Sequence, residues 1–282
     1  MHRILTIINH FSKFSKVRKV YSLLVIIMLL CIACEWRLKS NEEISNGAQV
    51  DIERYDRIEG LYLTTGDYSA LLQMNKTYPM QTRTLIEDVL QLGQVNDPEI
   101  NNKFLHFFRD STLQRLINDV QEQYANIDDL NRELTDAFGK LKDEIPSIEF
   151  PEVYSQIGSF DQSIIVGNKM LGISLDKYLG ADYPFYVEHY TPEQRKLMTR
   201  SMITPDCLSF YLLSLFPMPS ETMTQDERDM HMGKIQWVVN QVTDRHVFDN
   251  RLVSQVDSFM NCNKEMSMEQ LLHDNNYSEL RR

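Results

Sequence analysis

The stretch that decides the fold lies in the middle of the chain: EVYSQI at residues 152–157, SIIV at 163–166 and KMLGI at 169–173. These runs are short, rich in β-branched residues or alternating in polarity, as β-strands are. Gly167-Asn168 is a favourable pair for a two-residue hairpin turn before the third run. The sequence therefore predicts a small β-sheet or hairpin at about residues 152–174.

Helical spacing of apolar residues dominates both sides of this region. Ser111 is the predicted N-cap of one helix, and a second helix follows Asp128-Asp129. Capping boxes, in which a Thr is followed three residues later by Glu or Gln, predict helix starts at Thr191 and Thr224. Thr204-Pro205 predicts another start. A small sheet among many helices makes the predicted fold class α+β and predominantly helical.

The N-terminus has the features of a secretory signal. An uncharged apolar run from Tyr21 to Ala33 follows a basic flank, and it is shorter than the roughly 20 residues that span a membrane. The cysteine after the small Ala33 resembles the lipobox of bacterial lipoproteins, in which the thiol of Cys34 receives a diacylglycerol. We therefore predict a signal peptide at residues 1–33 and lipidation at Cys34. The alternative is an ordinary signal peptide.

The mature chain divides into a tether and a domain. Residues 34–49 are polar and cannot bury enough apolar surface to order themselves. Residues 50–282 are predicted to form a single α+β domain, with Val50 to Tyr55 as a candidate further strand.

The charge of the chain excludes one class of partner. The chain has 29 basic and 40 acidic residues, and five of the basic ones lie in the predicted signal. Without the signal, the chain has 24 basic and 40 acidic residues and a formal net charge of −16. Such a chain repels nucleic acid and anionic headgroups. Attachment to the membrane is therefore predicted to occur through the N-terminal lipid.

Two cysteines remain after Cys34. Cys207 and Cys262 could form a disulfide in an oxidising compartment or stay free thiols. Their separation along the sequence does not choose between these alternatives, because a disulfide requires nearby Cα atoms.

The common catalytic motifs are missing from the sequence: it contains no HExxH, GxSxG, P-loop or GxGxxG pattern. Glu227 and His231, with Asp229 nearby, are the best metal-like group on one predicted helix. A zinc site needs three or four converging ligands, so an exposed, solvated helix face is the simpler interpretation. The sequence predicts no catalytic residue, no metal and no cofactor, and hence no enzyme.

A dense polar and aromatic segment follows the predicted hairpin. Asp176, Tyr178 and Asp182 are the candidate contacts for a ligand or partner, because loops on a rigid scaffold often bind. The alternative is a turn at the start of a helix, in which the aromatic residues pack and the acids cap.

The order of four motifs resembles the GldB family of gliding-motility lipoproteins: Arg54-Tyr55-Asp56, Tyr78-Pro79, Leu175-Asp176-Lys177-Tyr178-Leu179-Gly180 and Gly233-Lys234. The resemblance covers about residues 50–242, and the YLG segment is its most specific part. It implies an envelope lipoprotein of diderm bacteria, tied to gliding motility or to the secretion system linked with it.

The family is also distantly similar to zinc metallopeptidases of the HExxH kind, which implies a degenerate form of that fold. The corresponding stretch here is His231-Met232-Gly233-Lys234-Ile235. It lacks the Glu that takes a proton from zinc-bound water and the second His one turn later. Family members continue into a Trp- and Gly-containing C-terminal segment, whereas this sequence ends at Arg282 without it, which suggests a shortened relative.

The residues after Cys34 predict which way the domain faces. Surface-exported lipoproteins of such bacteria tend to carry acids directly after the lipidated cysteine, whereas here Glu35 is followed by Trp36 and Arg37. The domain is therefore predicted to face the periplasm from the outer membrane, as a non-catalytic accessory or interaction component of the envelope.

Two other functions stay open at this point. One is a hydrolase with an unfamiliar site formed by Asp176, Asp182, Glu227 and His231. The other is a ligand-binding lipoprotein that uses the aromatic residues between Tyr178 and Tyr186.

Overall fold

The sheet predicted in the middle of the chain is present and has three strands. The computed structural model describes residues 49–280, in which the strands are β1 (Glu152–Gln156), β2 (Ile164–Gly167) and β3 (Met170–Ser174). β3 is central and pairs parallel with β1 and antiparallel with β2.

The hairpin between β2 and β3 differs from the prediction by one residue. Gly167 pairs with Met170, so the turn residues are Asn168 and Lys169 rather than Gly167-Asn168. Lys169 takes a left-handed φ of 59°. This register keeps Leu171 buried, because a slip of one residue would turn each side chain of a strand to the opposite face.

Helices make up most of the described chain, so the predominantly helical α+β class is confirmed. A π-helical turn at Thr84–Val89 follows α3, and 3-10 turns occupy Leu175–Lys177 and Arg200–Met202. The α-helices are α1 (Tyr55–Thr65), α2 (Tyr68–Thr77), α3 (Pro79–Arg83), α4 (Ile100–Phe107), α5 (Ser111–Gln123), α6 (Asp128–Glu144), α7 (Pro184–His189), α8 (Pro192–Lys196), α9 (Ile203–Leu215), α10 (Gln225–Thr243), α11 (Arg251–Cys262) and α12 (Met268–His273).

The predicted helix starts are correct to within two residues. Thr191 and Thr224 form the capping boxes of α8 and α10. The N-cap of α5 is Asp110, whose carboxylate accepts two backbone N–H bonds, so Ser111 is the first helical residue. α9 begins at Ile203 without a side-chain cap, two residues before Pro205, the predicted first helical residue.

The chain enters the fold along the free edge of β1. Glu53 donates its N–H to Val153 O at 2.9 Å and accepts the Ser155 N–H at 2.9 Å. This is a single parallel bridge rather than the further strand that was a candidate here. Side chains of α6 hold the N–H groups of Val50 and Ile52. The first residues of the domain are thus fixed to both β1 and α6.

Helices α9 and α10 lie at the centre of the hydrophobic core. α9 contacts α6, α10, β2 and β3, and α10 also contacts α6, α11 and α12. Their buried faces include Leu208, Leu212, Ile235 and Val238. α1 contacts β1, α2 and α5. The sheet therefore has α1 against β1 and α9 against its other two strands.

Candidate functional site

Asp176 lies in the interior, in the turn that follows β3. Its Oδ1 accepts the Gly158 N–H at 2.7 Å, and its Oδ2 accepts the Phe160 N–H at 2.6 Å. Ser159 and Phe160 have φ values of 56° and 65°, a left-handed conformation that is costly for residues with a Cβ. Burial raises the pKa of Asp176, and the two N–H bonds oppose that increase. Asp176 therefore fixes a strained loop.

Lys177 and the following aromatic residues support the same loop. Lys177 Nζ donates to Phe160 O at 3.0 Å and lies 5.0 Å from the centre of the Tyr190 ring. The Phe160 ring stacks on Phe185 with the ring centres 3.9 Å apart, and Phe185 stacks on His189 at 4.1 Å. The strained loop therefore aligns three rings, of which that of His189 is exposed.

Asp56 is a second buried carboxylate, in the first turn of α1. Arg54 holds it in a bidentate ion pair with both N–O distances at 2.8 Å, and Ser155 Oγ donates to it at 2.5 Å. Arg54 and Arg57 also donate to Tyr124 O, at the C-terminus of α5, at 2.9 Å and 2.8 Å. A helix C-terminus favours such cations. The Arg54-Tyr55-Asp56 motif thus connects α1 to β1 and α5.

The second motif, Tyr78-Pro79, packs against the first. The ring centres of Tyr55 and Tyr78 are 5.5 Å apart in an edge-to-face arrangement. Pro79 is the first residue of α3, where its missing N–H costs nothing. Tyr55 Oη donates to Thr82 Oγ1 at 3.2 Å. These two motifs therefore share one aromatic contact in the core.

Glu59 is the third buried carboxyl group, one turn after Asp56 in α1. It has no exposed surface, and its Oε2 accepts the Ile157 N–H at 2.9 Å. Burial raises the pKa of Glu59 well above 4.5, and the negative charges of Asp176 and Asp56 raise it further. Burial and the neighbouring negative charges therefore favour the protonated form of Glu59.

Glu59 and β1 also bring unpaired polar atoms into the core. Among the residues that the structure describes, Glu59 Oε1, Tyr154 Oη and Gln156 Oε1 are buried without a hydrogen-bond partner. Such an atom costs about 1–3 kcal/mol and calls for a structural or functional reason. We refer to Asp56, Glu59 and Asp176 together as the carboxylate cluster, and it is the candidate functional site.

The carboxylate cluster can hold a proton and can orient backbone N–H groups. A buried carboxyl group with a raised pKa can donate a proton, as in enzymes that raise the pKa of a catalytic acid. All three residues of the cluster have no exposed surface. In this conformation a molecule in solution does not reach them, so their observed role is to fix β1 and the loop after it.

The other two predicted contact residues lie in different surroundings. Tyr178 is buried, and its Oη donates to Asp206 Oδ2 at 2.8 Å, while burial raises the pKa of Asp206 to about 6. Asp182 has a fully exposed side chain, 3.8 Å from Arg195. The structure therefore does not bring Asp176, Tyr178 and Asp182 to one surface, because two of them complete the interior. Asp182 alone reaches solvent.

His231 is buried, contrary to the prediction of an exposed helix face. It is 1% exposed, with Nδ1 3.1 Å from Tyr277 Oη and Nε2 2.8 Å from Phe216 O. Burial lowers the pKa of His231. The prediction was wrong because residues outside α10 cover this side of the helix. Both ring nitrogens are engaged by protein groups.

The last motif, Gly233-Lys234, follows His231 and packs tightly. A Cβ on Gly233 would lie 2.9 Å from Leu252 Cβ, so glycine allows α10 to approach α11. Lys234 is buried, and its Nζ donates to Leu271 O at 3.2 Å and Asp274 O at 2.6 Å, at the C-terminus of α12. Burial lowers the pKa of Lys234 to about 8. Lys234 thus caps α12 from inside the fold.

Two further sequence predictions concern metals and cysteines. Across residues 49–280, no group of three or more His, Cys, Asp or Glu side chains could hold a metal ion. Cys207 is a buried free thiol and Cys262 an exposed one. Both cysteines are thus unpaired in this structure.

Sequence reasoning missed Glu59 and the partners of Asp56. A signal was available, because Glu59 lies four residues after Tyr55 and three before Tyr62, a spacing that puts all three on one face of a helix. The burial of both tyrosines puts the carboxyl group in the core. The hydrogen bond from Ser155 to Asp56 joins residues 99 positions apart, so no local sequence pattern predicts it.

Comparison with known families places all four motifs in one context. The sequence model described as "Gliding motility protein GldB" matches residues 37–248. The chain belongs to the GldB family. This supports association with the cell envelope, and in the stretch from residue 49 to residue 280 no helix is long and apolar enough to cross a membrane. Neither the curated proteins nor the solved structures contain a match to the chain.

Proposed function

We propose that this member of the GldB family is anchored through a lipid on Cys34 and faces the periplasm from the outer membrane. In this proposal it is a non-catalytic accessory or interaction component of the gliding machinery or of the secretion system linked with it. Membership of the GldB family supports the connection with gliding and with lipoproteins. Cys34 and the predicted signal and tether lie outside the described residues, apart from Gln49.

One observation carries the non-catalytic part of the proposal. Both carboxylate oxygens of Asp176, the acid of the most specific family motif, accept backbone N–H groups of the loop after β1. The acid of the first motif, Asp56, is likewise occupied by Arg54 and Ser155. These motif acids are thus used to build the fold, which supports a scaffold rather than a reaction centre.

The hydrolase alternative gains no support from the same contacts. Its four residues have unlike surroundings: Asp176 is buried, Asp182 is exposed, and the two ring nitrogens of His231 bind Tyr277 and Phe216. The ligand-binding alternative relies on aromatic residues that are internal at its two ends. Tyr178 and Tyr186 are both buried, and Tyr186 Oη donates to the carbonyl oxygen of Asp176.

The non-catalytic role can be tested in a gliding strain that carries only the variant gene. Asp176→Asn removes one acceptor from the strained loop, and Asp182→Asn is the exposed control six positions away. We expect Asp176→Asn to reduce the amount of folded protein and gliding together, and stronger expression to restore gliding. Normal amounts of folded protein without gliding would contradict the proposal.

The interaction role calls for a separate experiment. The tagged lipoprotein is isolated from detergent-solubilised envelopes after cross-linking, and Cys34→Ala is the matched control. We expect components of the gliding or secretion machinery to copurify with the lipidated chain and to be depleted with the control. Recovery of the lipoprotein without any such component would contradict an interaction role.

A further inference from the structure

Four of the eight exposed large apolar side chains of the described residues lie near the start of the domain. Leu61, Tyr68, Leu72 and Met80 are 42%, 70%, 38% and 52% exposed. Tyr68, Leu72 and Lys76 are four residues apart in α2, so they lie on one face of that helix. α2 packs against both α1 and α3. We call Tyr68, Leu72 and Lys76, together with the exposed Met80 at the start of α3, the α2 face.

The charge around the α2 face is opposite to that of the whole chain. Residues 68–86 contain Lys76 and Arg83 and no Asp or Glu, and no other stretch of residues 49–280 is as long without an acid. Of the other exposed apolar residues, Val187 lies next to Glu188, whereas Leu197 follows Lys196. The α2 face differs from these in lying within the longest acid-free stretch, so an acidic protein presents a weakly basic apolar face there. Tyr and Lys side chains can place apolar stems in lipid and polar ends among phosphate groups.

The length of the chain before the domain allows this face to reach a membrane that holds Cys34. About 16 residues separate Cys34 from Val50, which span at most about 55 Å when extended. α1 has 11 residues, so its length of about 16 Å is the main distance between the start of the domain and Tyr68. A lipid on Cys34 would also keep the face at a high effective concentration near the bilayer.

We propose that the α2 face rests on the lipid bilayer in which Cys34 is anchored. This inference rests on the proposed function, since it uses the lipid anchor to bring the face to the membrane. Tyr68, Leu72 and Met80 lie at the boundary between headgroups and acyl chains, and Lys76 stays with the phosphates. Such shallow insertion is the usual arrangement of helices that lie on a membrane.

The test compares the depth of insertion into the bilayer at two positions whose side chains have nearly the same solvent exposure. Met80 is 52% and Val187 53% exposed, and each is replaced in turn by an environment-sensitive fluorescent amino acid. The chain from Cys34 onward carries Cys262→Ser, and its Cys34 thiol is coupled to a maleimide lipid in phosphatidylcholine vesicles with brominated acyl chains. The coupling makes the measurement independent of lipidation in cells, which fatty-acid labelling reports separately.

We expect the fluorophore at position 80 to shift to the blue and to be quenched by brominated lipid at least about twofold more than the one at position 187. Tyr68→Glu with Leu72→Glu should abolish this difference, while circular dichroism stays unchanged. Equal quenching at both positions would overturn the inference. A blue shift that needs no lipid and grows with protein concentration would also overturn it, because a second copy would then cover the face.

Discussion

The Phe160 N–H donates a 2.6 Å hydrogen bond to Asp176 Oδ2, from a backbone with a φ of 65°. Gly158 donates to the other oxygen of the same carboxylate at 2.7 Å. The strained loop therefore depends on a side chain that follows it by 16 to 18 residues. The most specific family motif consequently has a structural purpose that can be measured.

Asp176→Ala should lower the free energy of unfolding by about 3 kcal/mol, because it leaves two buried N–H groups without an acceptor. Asp176→Asn should cost less, since its amide oxygen still accepts one of the bonds. Urea denaturation measures both. Asp182→Ala, at a fully exposed side chain, should change stability by about 0.5 kcal/mol or less. Equal effects at positions 176 and 182 would refute the role of Asp176 in the loop.

Because of Glu59, the free energy of unfolding should fall as the pH rises. Its folded-state pKa lies well above 4.5, so above pH 4.5 the unfolded chain releases a proton that the folded chain retains. Glu59→Gln should flatten this decline and should be at least as stable as the parent at pH 8. Urea denaturation between pH 5 and pH 8 checks it, with the exposed Glu122→Gln as control. An unchanged pH slope in Glu59→Gln would show that Glu59 is ionised in the fold.

Lys234→Met should loosen the C-terminal part of the domain. It removes the ammonium group from the carbonyl oxygens of Leu271 and Asp274, at a cost of about 1–3 kcal/mol. Hydrogen exchange should accelerate in residues 268–280 more than elsewhere, whereas the exposed Lys264→Met should leave it unchanged. Since burial lowers the pKa of Lys234 to about 8, its contribution to stability should rise as the pH increases from 8 towards 10.5.

His231→Ala should destabilise the protein by about 2 kcal/mol, because it opens a cavity and leaves Phe216 O without a partner. The folded-state pKa of His231 is below 6.5, so the unfolded chain binds a proton first as the pH falls. Stability should therefore decrease below pH 6.5 in the parent and less so in the variant. His106→Ala is the exposed control. Stoichiometric zinc in the purified protein, lost in His231→Ala, would instead indicate a metal site.

Cys34→Ala should abolish incorporation of a clickable fatty acid, because it removes the thiol that would receive the lipid. The matched control is Cys262→Ser, which removes an exposed thiol elsewhere and should leave labelling intact. Labelling that persists in Cys34→Ala would refute the lipidation site.

The predicted periplasmic orientation can be tested with external protease on intact cells. We expect the domain to resist digestion, and its digestion would instead place it on the cell surface.

The sequence predicted best those elements that depend on local patterns. The capping boxes at Thr191 and Thr224 and the short strands in the middle need only neighbouring residues. His231 shows where local reasoning fails: its helix carries acids in the first turn, and its cover comes from Phe216 and Tyr277. When distant segments bury a polar side chain, the periodic pattern of its own helix does not reveal that burial.

The carboxylate cluster was predictable only in part. Asp176 stood out because it follows the hairpin, but its two interpretations, a ligand contact and a cap, differ only in what surrounds it. The structure shows that backbone N–H groups of Gly158 and Phe160 surround it. Glu59 was hidden within an ordinary helical pattern, because a buried carboxyl group and an exposed one occupy the same kind of position in the sequence.

The contacts of the first residues would have a mechanical consequence if a lipid on Cys34 held the protein by its N-terminus. A pulling force would enter the domain at Val50 and meet the hydrogen bonds of Val50 and Ile52 to α6, those of Glu53 to β1 and the Arg54–Asp56 ion pair. The Glu53 bridge is parallel to β1, so its bonds are sheared together rather than opened one by one. Resistance to force depends on the rate of unfolding rather than on its equilibrium. These contacts at the start of the domain would thus be the first to carry such a load.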